Sequence, residues 1–457
     1  DFFYSVMDGN RRWVAYKTPN SGITSKNSNN TRTELHQKNE WIPEKGGRLT
    51  GTCKVMQVSV SGDARVAASY SVVVGQIHSG EGHENEPLKI FYKKFPGHKK
   101  GSVFWNYEIN TDGDDNSGRW DFSSPVWGHD FSVVGKSKSG DGDVLENAGY
   151  DDFWITKLDI NGSVSWVQSF GYSGSDVPYS IIQTNDQGYL LSGVLDVSAS
   201  NGQGDRLTNI QGRHAGGDYW IIKLSSSGVK EWSNYYGGTF TDTAYSAIQT
   251  NDNGYIIVGS SDSTDVNISN NKGNYDFWII KISELGTLIW EKSFGGDQVD
   301  EARSISQMAD GNYLVIGDTR SSNIDVSQNN GAADVWIIKI SPEGSLIWEK
   351  TLGGSSFDVG RSISKTQDDG FLIAGNSRSS DGVLDINNGQ NDALVMKINN
   401  SGYLEWQKTI GGTEVDFFNG VEELIDGSIV AVGDSSSSNG DIIENKGFTD
   451  LLILNTK

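Results

Sequence analysis

Short apolar runs recur along residues 131–457, and turn residues separate each run from the next. Residues 276–317 show the pattern, with apolar runs at 277–282, 287–294, 302–307 and 313–316. The runs are rich in Trp, Ile, Val, Tyr and Phe, which favour strands. Gly-Thr, Gly-Gly-Asp and Asp-Gly lie between them and favour tight turns. No window holds a 3.6-residue period, so the pattern predicts four strands and no helix.

This four-strand pattern is an internal repeat. Each copy begins at an aspartate, has a tryptophan 14 residues later and ends at a glycine. The starting aspartates are Asp152, Asp218, Asp276, Asp334 and Asp392. The step is 66 residues for the first copy and 58 for the others, including the step to Asp450. Four short strands repeated at such a period predict a β-propeller, in which neighbouring blades cover both faces of each sheet.

The two ends of the repeat array carry fragments of a further copy. Residues 131–135 (FSVVG) match the last strand of a unit, and residues 450–454 (DLLIL) match the first. We therefore expect five full blades and a sixth shared between the two ends. Residues 86–122 are an alternative source of its missing strands, because GSVFW at 101–105 is similar to GTLIW at 286–290. The eight extra residues of the first step lie within 194–217, which holds Arg213 and His214, and are interpreted as a surface insertion.

Two recurring features could serve either structure or function. The repeated tryptophans could stack on sugars, but their recurrence inside apolar strands favours blade packing; they are Trp166, Trp232, Trp290, Trp348 and Trp406. Acidic or amide residues follow the closing glycines at Asp141, Asp265, Asn323, Asp381 and Asn439, several with a second acid at Asp143, Asp325, Asp385 or Asp441. Such oxygens could hold Ca²⁺, yet Asp and Asn also form turns. No cofactor is expected, and calcium is the alternative.

Charge divides the chain unevenly. Residues 1–130 hold 16 Lys and Arg against 15 Asp and Glu, whereas residues 131–457 hold 21 against 44. The composition predicts two domains, residues 1–128 and 129–457. The acidic second part would repel nucleic acid and anionic membranes, so neither is an expected partner. The sequence has no transmembrane run and one cysteine, and we expect a monomer that is secreted or at the cell surface.

The N-terminal part concentrates the other candidate residues. Arg32, Glu34 and His36 alternate along one segment, which on a strand would place them on one face. Gln76 and His78 end an apolar run at 72–80 and would also share a face.

These segments resemble the alginate lyases of polysaccharide lyase family seven. The resemblance rests on TRTEL at 31–35, GQIH at 75–78, and NEPLKIFYKK at 85–94 followed by GSVFW, and it covers about residues 1–125. It implies a β-jelly-roll sandwich with a groove across one sheet, and here a shortened one. It also implies cleavage of alginate or a related uronate polymer by β-elimination.

The resemblance assigns roles to individual residues. Arg32 and Gln76 would neutralise the uronate carboxylate, and His78 would remove the C5 proton. Donors on the carboxylate stabilise the enolate-like charge that develops there, and histidine is a base suited to neutral pH. Glu34, His36 and Lys93 are the expected substrate contacts.

The sequence departs from the family in two motifs. His36 stands where a second arginine is usual, and the strand motif that carries the family's catalytic tyrosine is absent from 110–457. The acid that protonates the leaving oxygen is therefore unassigned, with Tyr70, Tyr92 and Tyr107 the nearest tyrosines to His78. The alternative function is a non-enzymatic secreted or cell-surface binding protein whose propeller is the functional part.

Overall fold

The computed structural model describes the backbone of six strands before residue 123, and residues 131–457 except 145, 160–162, 199–213, 215, 385, 425–426 and 457. The chain divides into two compact units, Asp1–Val126 and Trp127–Lys457, called here the N-terminal and C-terminal units. All regular elements among the described residues are strands, so the predicted all-β class is confirmed. No described helix is long and apolar enough to span a membrane.

The described strands of the N-terminal unit form two antiparallel sheets. One is a hairpin of β1 and β2, and the other is a meander in the order β3-β4-β5-β6. The strands are β1 (Phe3–Asp8), β2 (Arg11–Tyr16), β3 (Ser71–Ile77), β4 (Leu88–Lys93), β5 (Ser102–Ile109) and β6 (Arg119–Phe122).

The C-terminal unit is a β-propeller of six antiparallel sheets, as the repeat predicts. We number these sheets blade 1 to blade 6 in chain order. Blade 1 has three strands, β7 (Phe131–Ser137), β8 (Asp152–Leu158) and β9 (Val164–Phe170). Blades 2 to 5 have four strands each: blade 2 is β10 (Val177–Gln183), β11 (Tyr189–Asp196), β12 (Gly217–Leu224) and β13 (Lys230–Tyr236); blade 3 is β14 (Asp242–Gln249), β15 (Tyr255–Ser261), β16 (Asp276–Ile282) and β17 (Leu288–Phe294); blade 4 is β18 (Asp300–Gln307), β19 (Tyr313–Thr319), β20 (Asp334–Ile340) and β21 (Leu346–Leu352); blade 5 is β22 (Asp358–Lys365), β23 (Phe371–Ser377), β24 (Asp392–Ile398) and β25 (Leu404–Ile410). Blade 6 has three strands, β26 (Asp416–Glu423), β27 (Ile429–Ser435) and β28 (Asp450–Thr456).

Neighbouring blades pack through one recurring pair of faces. The third strand of each blade has apolar residues on both faces, because each face meets another sheet. Phe277 and Ile279 of blade 3 pack on Trp336 and Ile338 of blade 4, and the rings of Phe277 and Trp336 lie 4.5 Å apart between centroids. The same contact joins blades 1 and 2 and blades 2 and 3, so buried aromatic pairs link blades 1 to 4.

The first strand of each four-stranded blade lies innermost. Consecutive first strands β10, β14, β18, β22 and β26 contact one another, as strands around a central channel do. The pairing of each with its second strand shifts by one residue at the same place, for example between Ala302 and Ser304. Such a bulge leaves one residue unpaired and re-aims its side chain.

The closing glycine of the repeat has a steric cause. A Cβ on Gly317 would collide with the backbone oxygen of Glu301, which lies beside the bulge of the neighbouring strand. Gly259, Gly375 and Gly433 meet the equivalent carbonyl. Only glycine leaves room for this close backbone approach.

The blades begin at a different point of the repeat from the one predicted. The sequence unit from Asp276 to Gly317 contains β16 and β17 of blade 3 and β18 and β19 of blade 4. The long loop at 262–275 joins strands within a blade, whereas the short connection at 295–299 passes from one blade to the next. The predicted shared blade is therefore wrong: β7 pairs with β8, and β28 pairs with β27. The alternative also fails, because β4, β5 and β6 pair in a sheet with β3.

The two three-stranded sheets are the first and last blades. Among the described strands, blade 1 has no innermost strand and blade 6 has no outermost strand. In blade 1 Phe131 and Val133 are 55% and 45% exposed, and in blade 6 Leu451 and Ile453 are 73% and 57% exposed. Within the described strands, these two faces lack the covering sheet that every inner blade has.

Candidate functional site

The structure describes only part of the lyase-like site. Gln76 lies in β3 and Lys93 ends β4. The other predicted residues, Arg32, Glu34, His36 and His78, lie outside the described residues.

Backbone register relates Gln76 to its neighbours. Gln76 pairs with Lys89, which pairs with Asn106, so these three positions belong to one face of the sheet. Lys93 is four residues along β4 from Lys89, and its position therefore belongs to the same face. Tyr92 and Tyr107 occupy positions of the opposite face, and Tyr107 is in the row of Leu88 and Ile77.

Four of the repeated tryptophans pack between blades, in agreement with the interpretation favoured from the sequence. Trp232 of blade 2 lies against Gly286 of blade 3. Gly286 has a φ of 77° and lies in the hairpin between β16 and β17. The ring nitrogen of Trp232 donates to the backbone oxygen of Glu284 at 3.1 Å. Trp166, Trp290 and Trp348 lie against the equivalent glycines Gly228, Gly344 and Gly402. Trp406 is 39% exposed, since blade 6 supplies no such hairpin among its described strands.

The recurring loop acids and amides accept backbone hydrogen bonds. Asp265, Asn323, Asp381 and Asn439 each accept an N–H of the connection that follows the preceding blade's last strand, at 2.7–3.1 Å. Asp325 accepts from the N–H of Gly295 at 3.2 Å and pairs with Lys272 at 2.7 Å. Asp385 lies outside the described residues. The contacts of these loop residues are those of turn and cap formers. No group of three or more His, Cys, Asp or Glu side chains placed to hold a metal ion occurs in the described part of the chain.

Two aspartates are also buried at each junction between a four-stranded blade and the next blade, one from each blade. Asp276 and Asp300 are both fully buried, and both carboxylates lie against Gly295. Asp276 accepts the N–H of Lys272 at 2.6 Å, while its second oxygen has no hydrogen-bond partner among the described residues. Burial raises the pKa of Asp276 to about 7, and it raises the pKa of Asp176, Asp218 and Asp334 to about 6.

His214 of the predicted insertion is part of one of these junctions. Its Nδ1 hydrogen bonds to Asp218, and its ring meets Tyr235 edge to face at 4.9 Å. The neighbouring Arg213 lies outside the described residues.

The bulges of the inner strands bring a second set of polar side chains together. The bulge residues are Tyr179, Tyr245, Arg303, Arg361 and Asn419. The rings of Tyr179 and Tyr245 lie 4.9 Å apart, and the guanidinium of Arg303 lies 4.6 Å from the centre of the Tyr245 ring. The inner strands therefore carry an arc of aromatic residues that passes into cationic ones.

Two more arginines join this arc. Arg320 and Arg378 follow the second strands of blades 4 and 5, and their guanidiniums lie 5.6 and 5.5 Å from the ring centre of Phe357. Arg361 lies 4.8 Å from the ring of Phe417. Together with Arg303, these are all the arginines among the described residues of the C-terminal unit. They cluster although residues 131–457 carry far more acids than bases.

The bulge arginines of blades 4 and 5 have different polar partners. Arg303 pairs with Glu301 at 2.8 Å and lies 3.7 Å from Asp318. Burial lowers the pKa of Arg303, but Glu301, Asp318 and the nearby tyrosines together more than offset this effect, so the pKa of Arg303 rises. Burial raises the pKa of Asp318 to about 6, although Arg303 partly counters it.

In blade 5 the two acids are replaced. Val359 stands at the position of Glu301, and Asn376 stands at that of Asp318. Arg361 donates to the amide oxygen of Asn376 at 3.0 Å and has no carboxylate ion pair among the described residues. Burial lowers the pKa of Arg361, and the positive charge of Arg303 lowers it further.

The sequence contained a signal for this cluster. Arg303 and Arg361 are 58 residues apart, as are Arg320 and Arg378, so two repeat positions carry arginine in two successive copies. The bulge that turns the first pair inward leaves no mark in the hydrophobic pattern, and for that reason the sequence analysis missed it.

Comparison with known proteins supports the resemblance in the N-terminal part. The sequence model of the alginate lyase family matches residues 1–166. This part of the chain resembles family seven alginate lyases. The match continues through β7, β8 and the start of β9, which the structure places in blade 1.

Individual relatives agree with the family match. An alginate lyase of Klebsiella pneumoniae is 29% identical over 132 residues, covering 23% of this chain and 41% of that protein. The crystal structure of an exolytic family-seven alginate lyase from Zobellia galactanivorans is 52% identical, covering 37% of this chain and 58% of that one, with a TM-score of 0.27. A puromycin hydrolase structure covers 79% of this chain at 12% identity, with a TM-score of 0.32. The chain thus spans about two fifths to three fifths of the lyases it matches.

Proposed function

We propose that this protein is a polysaccharide lyase that cleaves alginate or a related uronate polymer by β-elimination. The match of the alginate lyase family to residues 1–166 carries the proposal. The motifs with Arg32, Gln76 and His78 lie inside that match. The C-terminal propeller would act as an accessory module, on a protein that is secreted or displayed at the cell surface.

The proposed chemistry needs a neutralised carboxylate and a base. Arg32 and Gln76 would donate hydrogen bonds to the uronate carboxylate, which lowers the cost of the negative charge that develops when C5 loses its proton. His78 would take that proton. The electron pair of the C5–H bond then forms the C4–C5 double bond, and the C4–O bond breaks with its electron pair on the departing oxygen, which takes up a proton. The register position of Lys93, on the face of Gln76, suits a contact with a neighbouring uronate, and Glu34 and His36 are the other proposed contacts.

The unsaturated sugar end provides a direct assay. The full chain incubated with alginate should produce the ultraviolet absorbance of the conjugated double bond. The His78→Ala variant should lose about 100-fold or more in turnover, the usual contribution of a general base. His83→Ala is the matched control, since it removes a histidine of the same segment outside both motifs. Absence of unsaturated product from alginate and from other uronate polymers would refute the lyase assignment.

The alternative is a binding protein whose propeller is the functional part. The arginine cluster of blades 4 and 5 favours this alternative, because a binding site there would work without any chemistry in the N-terminal unit. A chain that forms no unsaturated product but binds an anionic glycan would establish it.

A further inference from the structure

Three arginines of the cluster line a cavity in the C-terminal unit. The cavity has a volume of about 400 Å³, and its lining includes Arg320, Arg361, Arg378, Phe357 and Phe417. This volume is within the range of small-molecule sites, which combine apolar walls with a few placed polar groups. Asn376 and Asn391 supply amides to the same wall, and Asn376 donates to the amide oxygen of Asn391 at 3.1 Å. The cavity therefore offers aromatic surface, amides and three guanidiniums.

Among the described residues its cations have no direct counter-ion, although Asp318 and Asp434 act on Arg361 from farther away. Arg320, Arg361 and Arg378 make no carboxylate ion pair among the described residues, and no acidic side chain lines the cavity. Arg320 and Arg378 are exposed and both approach the ring of Phe357, whereas Arg361 is half-buried. An anion placed among the three guanidiniums would offset the cost of holding the charge of Arg361 in a half-buried position.

In blade 4, the arginine at the equivalent position is neutralised by neighbouring acids. There Arg303 has Glu301 and Asp318 beside it, and the equivalent positions beside Arg361 are Val359 and Asn376. Asn376 keeps the shape of an aspartate and still accepts the Arg361 hydrogen bond at 3.0 Å, but it brings no charge. Blade 5 is thus built as blade 4 is, with the internal anions removed and the cations retained.

We propose that this cavity binds the carboxylate of an acidic sugar, a uronate, between Arg361 and the exposed pair Arg320 and Arg378. A guanidinium fork matches the two oxygens of a carboxylate. The amides of Asn376 and Asn391 suit sugar hydroxyls, and the faces of Phe357 and Phe417 suit the apolar face of a sugar ring. The choice of a uronate among carboxylates rests on the proposed lyase function, whereas the choice of a carboxylate rests on the cavity alone.

A monosaccharide tests the site apart from catalysis. Sodium glucuronate has no glycosidic bond, so the full-length protein cannot cleave it by elimination. Its binding would be measured by titration calorimetry, with glucose as the neutral analogue and inorganic phosphate as the competing anion. Glucuronate should bind, with an affinity that falls as salt is added, because the attraction between exposed charges is screened.

Two variants and one control locate the binding. Asn376→Asp would place beside Arg361 the carboxylate that blade 4 has, in a side chain of almost unchanged shape. Arg378→Gln would remove one exposed cation. Each should weaken glucuronate binding about tenfold or more, the typical effect of losing a hydrogen bond between charged groups. Lys365→Gln is the control, since Lys365 lies in the same strand as Arg361 and pairs with the exposed Asp369.

The outcomes separate this inference from the lyase proposal. Unchanged affinity in Asn376→Asp, or no binding of glucuronate by a chain that degrades alginate, would overturn the cavity assignment and leave the lyase intact. Equal binding of phosphate would overturn the carboxylate assignment. Binding of glucuronate by a chain that never forms unsaturated product would support the cavity and refute the lyase.

Discussion

The buried aspartates between blades should make the propeller lose stability as the pH rises. Burial raises the pKa of Asp276 from 3.8 to about 7 in the folded chain. Between these two values the folded state binds more protons than the unfolded state, so the free energy of unfolding falls with increasing pH. Most of this stability is present below the unfolded pKa near 4, and it is lost as the pH passes through about 7.

The size of the effect follows from the shift. Each unit of pKa difference corresponds to about 1.4 kcal/mol, so Asp276 alone should lower the free energy of unfolding by about 2–3 kcal/mol between pH ~5 and pH ~8. Asp176 and Asp334, with pKa values raised to about 6, should each contribute about 1 kcal/mol more over this interval.

The test is the substitution Asp276→Asn, which removes the titrating proton and keeps the shape. The amide can still accept the N–H of Lys272, and its nitrogen would face Asp300 across Gly295. Denaturant unfolding of both proteins, followed by tryptophan fluorescence at several pH values, gives the two stability curves. The variant should gain about 2–3 kcal/mol on the natural chain between pH ~5 and pH ~8. Asp297→Asn, at an exposed site in the same connection, controls for the change in net charge.

Parallel stability curves for Asp276→Asn and the natural chain would refute this reasoning. They would mean that the carboxylate of Asp276 is ionised throughout this pH range in the folded protein. Some other group would then have to satisfy its second oxygen.

Two further substitutions test the packing between the strands and blades of the propeller. Trp278→Ala should cost about 3–5 kcal/mol of stability by denaturant unfolding, because Trp278 is fully buried with its ring 4.4 Å from that of Tyr219, and Trp278→Phe should cost less. Gly317→Ala should cost about 1–3 kcal/mol, because its Cβ meets the backbone oxygen of Glu301. Gly135→Ala should be nearly neutral in the same assay: Gly135 holds the equivalent position in blade 1, where a Cβ would meet none of the described residues within 4 Å. Equal losses at Gly135 and Gly317 would contradict the steric explanation.

The strands and their number could be predicted because the repeat shows its apolar runs five times. The start of a blade could not, since a repeat has no intrinsic origin. The prediction began each unit at the recurring aspartate, which placed the boundary at the long loop near 262–275. The chain instead crosses between blades at 295–299, where five extended residues can span about 17 Å, enough to pass from an outer strand to an inner one.

The two candidate sites differ in what the sequence could reveal. The lyase-like residues were found from a motif, and their assembly depends on Arg32 and His78, which lie outside the described residues. The arginine cavity needed coordinates, because Arg303 and Arg361 point inward only through a bulge that hydrophobic patterning does not encode.

Comparison among the copies of the repeat separates the residues that the propeller fold requires from the residues that vary between blades. The buried aspartate of the third strand and the closing glycine recur in every full copy, as expected of residues that the sheet contacts require. The bulge position instead reads tyrosine, tyrosine, arginine, arginine and asparagine from blade 2 to blade 6. A position that faces the central channel and tolerates such different side chains is not needed for packing. Its side chain can therefore vary without loss of the fold, and the change from Arg303 with its ion pair to Arg361, which has none among the described residues, is the basis for the anion site proposed in blade 5.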